Sequence, residues 1–117
     1  MLDLSVYEQK SWEVKLLDGR IIHVLKPDIL MLIEIERFEK AKNSKTNKLE
    51  NISKSLVSMT QRILNENEEG ISLTIADIKK LGFQLQLAVI NGYQTFIREV
   101  MDNPNSKSPM SQNGKTM

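Results

Sequence analysis

Apolar and polar side chains alternate with a period of two on either side of Asp18-Gly19, in S-W-E-V-K-L-L and then R-I-I-H-V-L. That period marks half-buried β-strands, and Asp-Gly supplies the positive φ angles of a two-residue type I′ turn. A β-hairpin over 11–25 is therefore predicted. A two-residue turn sets Leu16 opposite Ile21, Val14 opposite His23 and Trp12 opposite Leu25. The apolar face is then Trp12, Val14, Leu16, Ile21, His23 and Leu25. Glu13, Lys15 and Arg20 lie on the other face beside Ile22 and Val24. A hairpin alone is marginal in water, so its apolar face needs helices to lie on.

The period then lengthens. Pro27-Asp28 ends the second strand and opens a helix over about 28–42, because proline suits a first turn and an early acid complements the helix dipole. After the polar break N-S-K-T-N, with Asn47 as the candidate cap, a second helix runs over about 47–66. Leu49, Ile52, Leu56, Met59 and Ile63 form its narrow apolar stripe. An acidic loop from Asn65 closes on Gly70, read as a C-cap glycine. Thr74-Ile75-Ala76-Asp77 has the form of a capping box and starts a short helix over 74–81. Gly82 breaks it, and a fourth helix covers 83–102. The predicted fold class is α+β, mostly α. One globular domain over 1–102 packs an N-terminal β-hairpin on about four helices, and 103–117 form a flexible tail.

The fourth helix is apolar over more than half its circumference. Leu85, Val89, Phe96 and Val100 lie on one flank, and Phe83, Leu87, Ile90, Ile97 and Met101 on the other, with Tyr93 between. Such a helix is either central in its domain or shared with a partner. Leu87, Tyr93, Phe96, Ile97 and Met101 are the candidate protein-binding residues, and Met31, Met59 and Met101 would add adaptable contacts. Gly92, mid-helix, costs about 1 kcal/mol against alanine, which close packing of another backbone would justify.

Composition narrows the chemistry. The 117 residues suit one domain that buries roughly two thirds of its unfolded surface. There is no cysteine, which excludes disulfides, thiol catalysis and thiolate metal sites. Net charge is +1, so neither a nucleic-acid coat nor a polyacidic tail is indicated. Asp3 and Glu8 and the lack of an apolar run argue against a signal peptide. The longest apolar run, Ile29–Ile33, is far short of the ~20 residues that span a bilayer. His23 is the only histidine, and a half-buried structural role is its expected one, with no second histidine to complete a metal site. Glu34, Glu36 and Glu39 read as a solvated face. Glu66, Glu68 and Glu69 lack the alternating acids and closing glutamate of a calcium loop. No phosphate-binding glycine loop and no nucleophile elbow is present, so no enzyme, cofactor or metal is expected. The rhythm from Thr74 to Phe96 imitates a helix-turn-helix, with Gln84 and Gln86 as candidate readers of adenine. That second helix carries no Lys or Arg before Arg98, so phosphate neutralisation is missing and nucleic acid is an unlikely partner.

The order of parts carries a resemblance. Leu17-Asp18-Gly19-Arg20 turns the hairpin, and Lys26-Pro27 leads into a helix. Ile63-Leu64-Asn65 runs through to Gly70, an S-x-T-x-x-D helix start follows, and Phe96 through Pro109 joins the last helix to a polar tail. This layout resembles the tail assembly chaperones of long-tailed phages and prophages of Gram-positive bacteria. The resemblance implies a non-enzymatic protein of the host bacterial cytoplasm, absent from the mature virion. It would bind the tape measure protein, keep its hydrophobic segments soluble and help recruit tail tube subunits. A ribosomal frameshift near the end of the gene would yield a longer minority product, and the polar tail would then be a tether or reading-frame junction. Two other readings stay open: a small helix-turn-helix-like DNA-binding regulator and an unrelated helical adaptor. A homo-oligomer also fits the surplus apolar arc, and no membrane partner is expected.

Residues 103–117 hold two prolines, one glycine and no branched aliphatic or aromatic side chain. They cannot bury enough apolar surface to offset the entropy of ordering. A protein ending at residue 102 should therefore melt within a degree or two of the full chain, as followed by circular dichroism. A melting point several degrees lower would show that the tail packs on the domain.

Overall fold

The computed structural model describes residues 1–4, 11–44 and 48–102. The elements run β1 (Trp12–Lys15), β2 (Ile21–Val24), α1 (Ile29–Asn43), α2 (Leu49–Asn65) and α3 (Ile75–Asp102). The hairpin and mostly helical character agree with the sequence, but the helices among the described residues number three. The boundary expected at Gly82 is a kink inside α3, where this residue alone leaves helical geometry, at φ 83° and ψ 165°. The candidate cap Asn47 and the tail lie outside the described residues. Lys48 occupies the N-cap position of α2 and makes no side-chain cap bond.

The hairpin register differs from the sequence reading by one residue. Trp12 pairs with Val24, Glu13 with His23, Val14 with Ile22 and Lys15 with Ile21. The turn holds three residues, not two. The Leu16 amide donates to the Arg20 carbonyl at 2.7 Å, and the Gly19 amide to the Leu16 carbonyl at 3.0 Å. Only Gly19 needs a positive φ, 93°. This is a type I turn followed by a left-handed glycine, the usual three-residue hairpin. Asp18 favours it by accepting the Arg20 amide at 3.0 Å and the Arg20 guanidinium at 2.8 Å. A one-residue slip moves every side chain of a strand to the other face. Ile22 and Val24 are accordingly wholly buried, whereas Ile21 and Leu25 are exposed and His23 turns outward.

Local signals hold at the other boundaries in part. Asp28 is the N-cap of α1, its carboxylate accepting the Met31 amide at 2.8 Å, so Pro27 precedes the helix and Asp28 does not stand in its first turn as the sequence suggested. Thr74 and Asp77 form the reciprocal capping box, at 3.0 and 3.1 Å. Gly70 is not the C-cap of α2, whose helix ends at Asn65 with Glu66 in that position. Gly70 instead takes φ 70° within a loop held by Asn67. The Asn67 amide donates to the Leu64 and Ile71 carbonyls and its oxygen accepts the Ile71 amide.

Helix α2 touches α1, α3 and β2 and so occupies the centre. It buries Leu56, Met59, Ile63 and Leu64 of its face, with Thr60 among them, whereas Leu49 at its start is exposed. Helix α1 contributes Met31, Ile35 and Phe38, and α3 contributes Ile78, Ile90, Tyr93 and Phe96. Beside the kink, the buried Gln86 side chain donates to the Ile78 carbonyl at 3.0 Å and so ties the two arms of α3 together.

The hairpin reaches α3 through Trp12. Its ring centroid lies 5.8 Å from that of Tyr93 and 6.5 Å from that of Phe96. The Tyr93 hydroxyl donates to the Leu25 carbonyl at 3.1 Å. Gly92 is the floor of this contact: a Cβ there would come within 2.6 Å of Trp12 Cζ2. The close neighbour is thus an indole ring, not the backbone that the sequence suggested. Gly92→Ala should lower stability by about 1–3 kcal/mol through overpacking, outweighing the ~1 kcal/mol that alanine adds to a helix. With Trp12→Leu already in place, the same substitution should become neutral or stabilising. Urea melts of the four proteins in this cycle measure the coupling.

Candidate interaction surface

Five consecutive apolar residues, Ile29–Ile33, begin α1. At 100° per residue they wrap the whole helix, so one side cannot bury them all. The inner side is taken by Met31, followed by Ile35 and Phe38. Ile29 is left 68 % exposed, Leu30 60 % and Ile33 39 %. These three sit at i, i+1 and i+4, neighbours on one outward stripe. Leu25, 38 % exposed, precedes them. The sequence reading measured this run only against a bilayer and missed its exposed side. The signal was present, since a run longer than one turn must leave apolar side chains outside.

Beside α1 an open groove of about 530 Å³ separates it from α2. Phe38, Ala41 and Met59 lie along it, and Glu34, Arg37 and Arg62 add charge. The Glu34 carboxylate pairs with Arg62 across the groove. Glu39 accepts from Gln94 of α3 at 2.9 Å and pairs with Lys42 at 3.3 Å. The acids expected to be a solvated face therefore divide. Glu34 and Glu39 tie α1 to α2 and α3, and Glu36 remains exposed.

The candidate protein-binding residues of α3 are not brought together as one surface. Tyr93 is fully buried and Phe96 nearly so, both committed to the hairpin contact. Leu87 and Ile97 are half-buried against the core. Only Met101 stands out in solvent. The outward large apolar side chains of α3 are instead Ile75, Phe83, Leu85 and Met101. Of the two candidate base readers, Gln84 is exposed and Gln86 is held inside by Ile78.

His23 lies on the outer face of the hairpin, opposite the face the sequence reading gave it. Its Nδ1 meets Glu69 Oε2 at 2.5 Å and its Nε2 meets Glu13 Oε2 at 3.3 Å. Its own amide donates to Glu69 Oε1 at 2.8 Å, and its carbonyl accepts the Glu68 amide at 2.9 Å. With the Leu25 amide donating to the Glu66 carbonyl at 2.8 Å, loop 66–69 runs along β2 like a third strand. His23, Glu68 and Glu69 bring an imidazole nitrogen and two carboxylate oxygens within 4.8 Å of one another. Glu69 uses both its oxygens on His23, so the arrangement acts as a clasp between loop and strand. Among the described residues no helix is long and apolar enough to cross a membrane.

Compared with protein-family models, with curated proteins and with solved structures, the chain matches none.

The clasp makes stability depend on pH. Donating a hydrogen bond to the Glu69 carboxylate raises the His23 pKa, opposed by desolvation. Accepting that bond from His23 lowers the pKa of Glu69. The histidine contribution is complete below the usual histidine range and is lost as pH rises through the raised folded value. The glutamate contribution is complete above the usual carboxylate range and is lost as pH falls through the lowered folded value. The clasp is therefore strongest between the two ranges, near pH 5–6. From pH 6 to pH 9, His23→Gln should lose less melting temperature than the natural protein. Parallel curves for the two proteins would show that the clasp adds no stability.

Proposed function

We propose that this protein is a non-enzymatic tail assembly chaperone of a long-tailed phage or prophage. It binds the tape measure protein in the host bacterial cytoplasm, helps recruit tail tube subunits and does not remain in the mature virion. The observation that supports this best is the outward stripe Ile29, Leu30 and Ile33 on α1. Isolated apolar side chains are normal on a surface, but a helical stripe of them offers a seat for an apolar helix. The occupant's apolar stripe would lie on these three residues. The charged residues along the groove, Glu34, Arg37 and Arg62, would keep the empty protein in solution. The order of motifs along the chain, from the D-G-R turn to the polar tail, points to the tape measure protein as that occupant.

The test substitutes the stripe while sparing the fold. Glutamine is a good helix former, and substitution of exposed side chains changes stability by about 0.5 kcal/mol or less each. Ile29→Gln, Leu30→Gln and Ile33→Gln together should leave the melting temperature within a few degrees. Co-production with the tape measure protein of the same genome should yield a soluble complex with the natural chain. The triple variant should retain a tenth of that complex or less. Equal recovery with both would remove α1 from the interaction, and no complex with either would overturn the chaperone reading.

A further inference from the structure

The two edges of the hairpin differ. Trp12, Val14 and Leu16 face the hydrogen-bonded rungs to β2, so the backbone groups of Glu13 and Lys15 point to the opposite edge of β1. The outer edge of β2 is occupied by loop 66–69. Among the described residues nothing hydrogen-bonds to the backbone of Glu13 or Lys15 along the outer edge of β1. Directly below that edge lies a second groove, of about 220 Å³, lined by Val14, Leu16, Leu17, Leu85, Ala88 and Val89. Leu17, Leu85 and Ala88 are exposed there. A strand edge that no described residue pairs with and an apolar helix face thus adjoin one another, and each is a surface that proteins ordinarily cover.

We infer that this edge pairs with β1 of a second copy of the chain, antiparallel about a two-fold axis at Val14, joining two hairpins into one four-stranded sheet. The sequence of the edge is self-complementary in that register. Val14 meets its symmetry mate on the inner face, where α3 lies. Glu13 stands opposite Lys15 of the other copy, and Lys15 opposite its Glu13, which places two opposite-charge pairs on the outer face. Glu13 and Lys15 are also the residues whose amides and carbonyls point outward, so both form hydrogen-bonded rungs. Both copies of α3 lie on the same side of the joint sheet. Leu85 and Ala88, with a small side chain between the bulkier ones, then face their counterparts across the axis. A two-fold contact requires one patch to complement itself, and this charge order does so. The α1 stripe lies outside this contact, so the dimer and the binding of a tape measure helix are separable.

The experiment is sedimentation of the full chain over a concentration series, alone and without any partner. The natural protein should show a concentration-dependent monomer–dimer equilibrium, with the Glu13 and Lys15 amides protected from hydrogen exchange in the dimer. Lys15→Glu places glutamate opposite glutamate, and Glu13→Lys places lysine opposite lysine. Two symmetry-related pairs change at once, so either variant should weaken the dimer about tenfold or more. Mixing the two variants restores both charge pairs, and a heterodimer of natural affinity should form. Circular dichroism melts confirm that each variant is folded; one that is not is replaced by Lys15→Asp or Glu13→Arg, which make the same charge change. A natural protein that stays monomeric throughout overturns the proposal, including when an extended peptide protects those amides instead. Variants that dimerise as tightly as the natural chain place the contact on another face. Variants that remain monomeric when mixed overturn the two-fold register.

Discussion

Gly19 holds a φ of 93°, and the Leu16–Arg20 hydrogen bond closes a three-residue turn around it. That extra residue points Ile22 and Val24 inward, where both are fully buried against the helices. It also points His23 outward, between Glu13 and Glu69. The inner face then carries Trp12, Val14, Leu16, Ile22 and Val24, an almost wholly apolar set. The outer face carries the charges that hold loop 66–69 along β2. With a two-residue turn the chain would exchange Ile22 and Val24 for Ile21 and Leu25 on the inner face and would turn His23 inward with them, away from Glu13 and Glu69.

The hairpin is joined to the helices at a place where size is limiting. Gly92 leaves room for the Trp12 ring on the surface of α3, and Tyr93 and Phe96 flank it. The Tyr93 hydroxyl reaches the Leu25 carbonyl and so fixes the end of the second strand as well. This arrangement explains why the most apolar helix of the chain does not offer Tyr93 or Phe96 to a partner: both are needed for the hairpin. The surplus apolar surface lies instead on the outward stripe of α1 and along the groove under β1. One is a helical stripe, the other adjoins a strand edge that no described residue pairs with, and they suit different kinds of occupant. The proposed self-association and the proposed helix binding thus fall on separate faces.

Much of this molecule is legible in the chain by itself, wherever the deciding interaction is local. Asp18-Gly19 announces a turn because few residues accept positive φ. The Thr74–Asp77 pair announces a helix start because each side-chain oxygen reaches the other residue's amide, whereas Asp28, legible only as an early acid, proves to be a cap. The stripe from Leu56 to Ile63 announces a buried helix face through its spacing, and Gly82 marks the break in α3. What the chain could not decide involved partners distant in sequence. The turn length was settled by which strand face the helices could cover, a choice made between two turns of similar local quality. The neighbour of Gly92 was an indole eighty residues away. The Gln86 side chain met the Ile78 carbonyl inside the fold, and Glu69 met His23 across 46 residues. The apolar run Ile29–Ile33 shows that some side chains must stay outside, yet only packing against α2 determined that Met31 turned in and Ile29, Leu30 and Ile33 turned out. Local hydrogen bonds and periodicity are written in neighbouring residues, whereas burial is shared out among elements and depends on all of them at once.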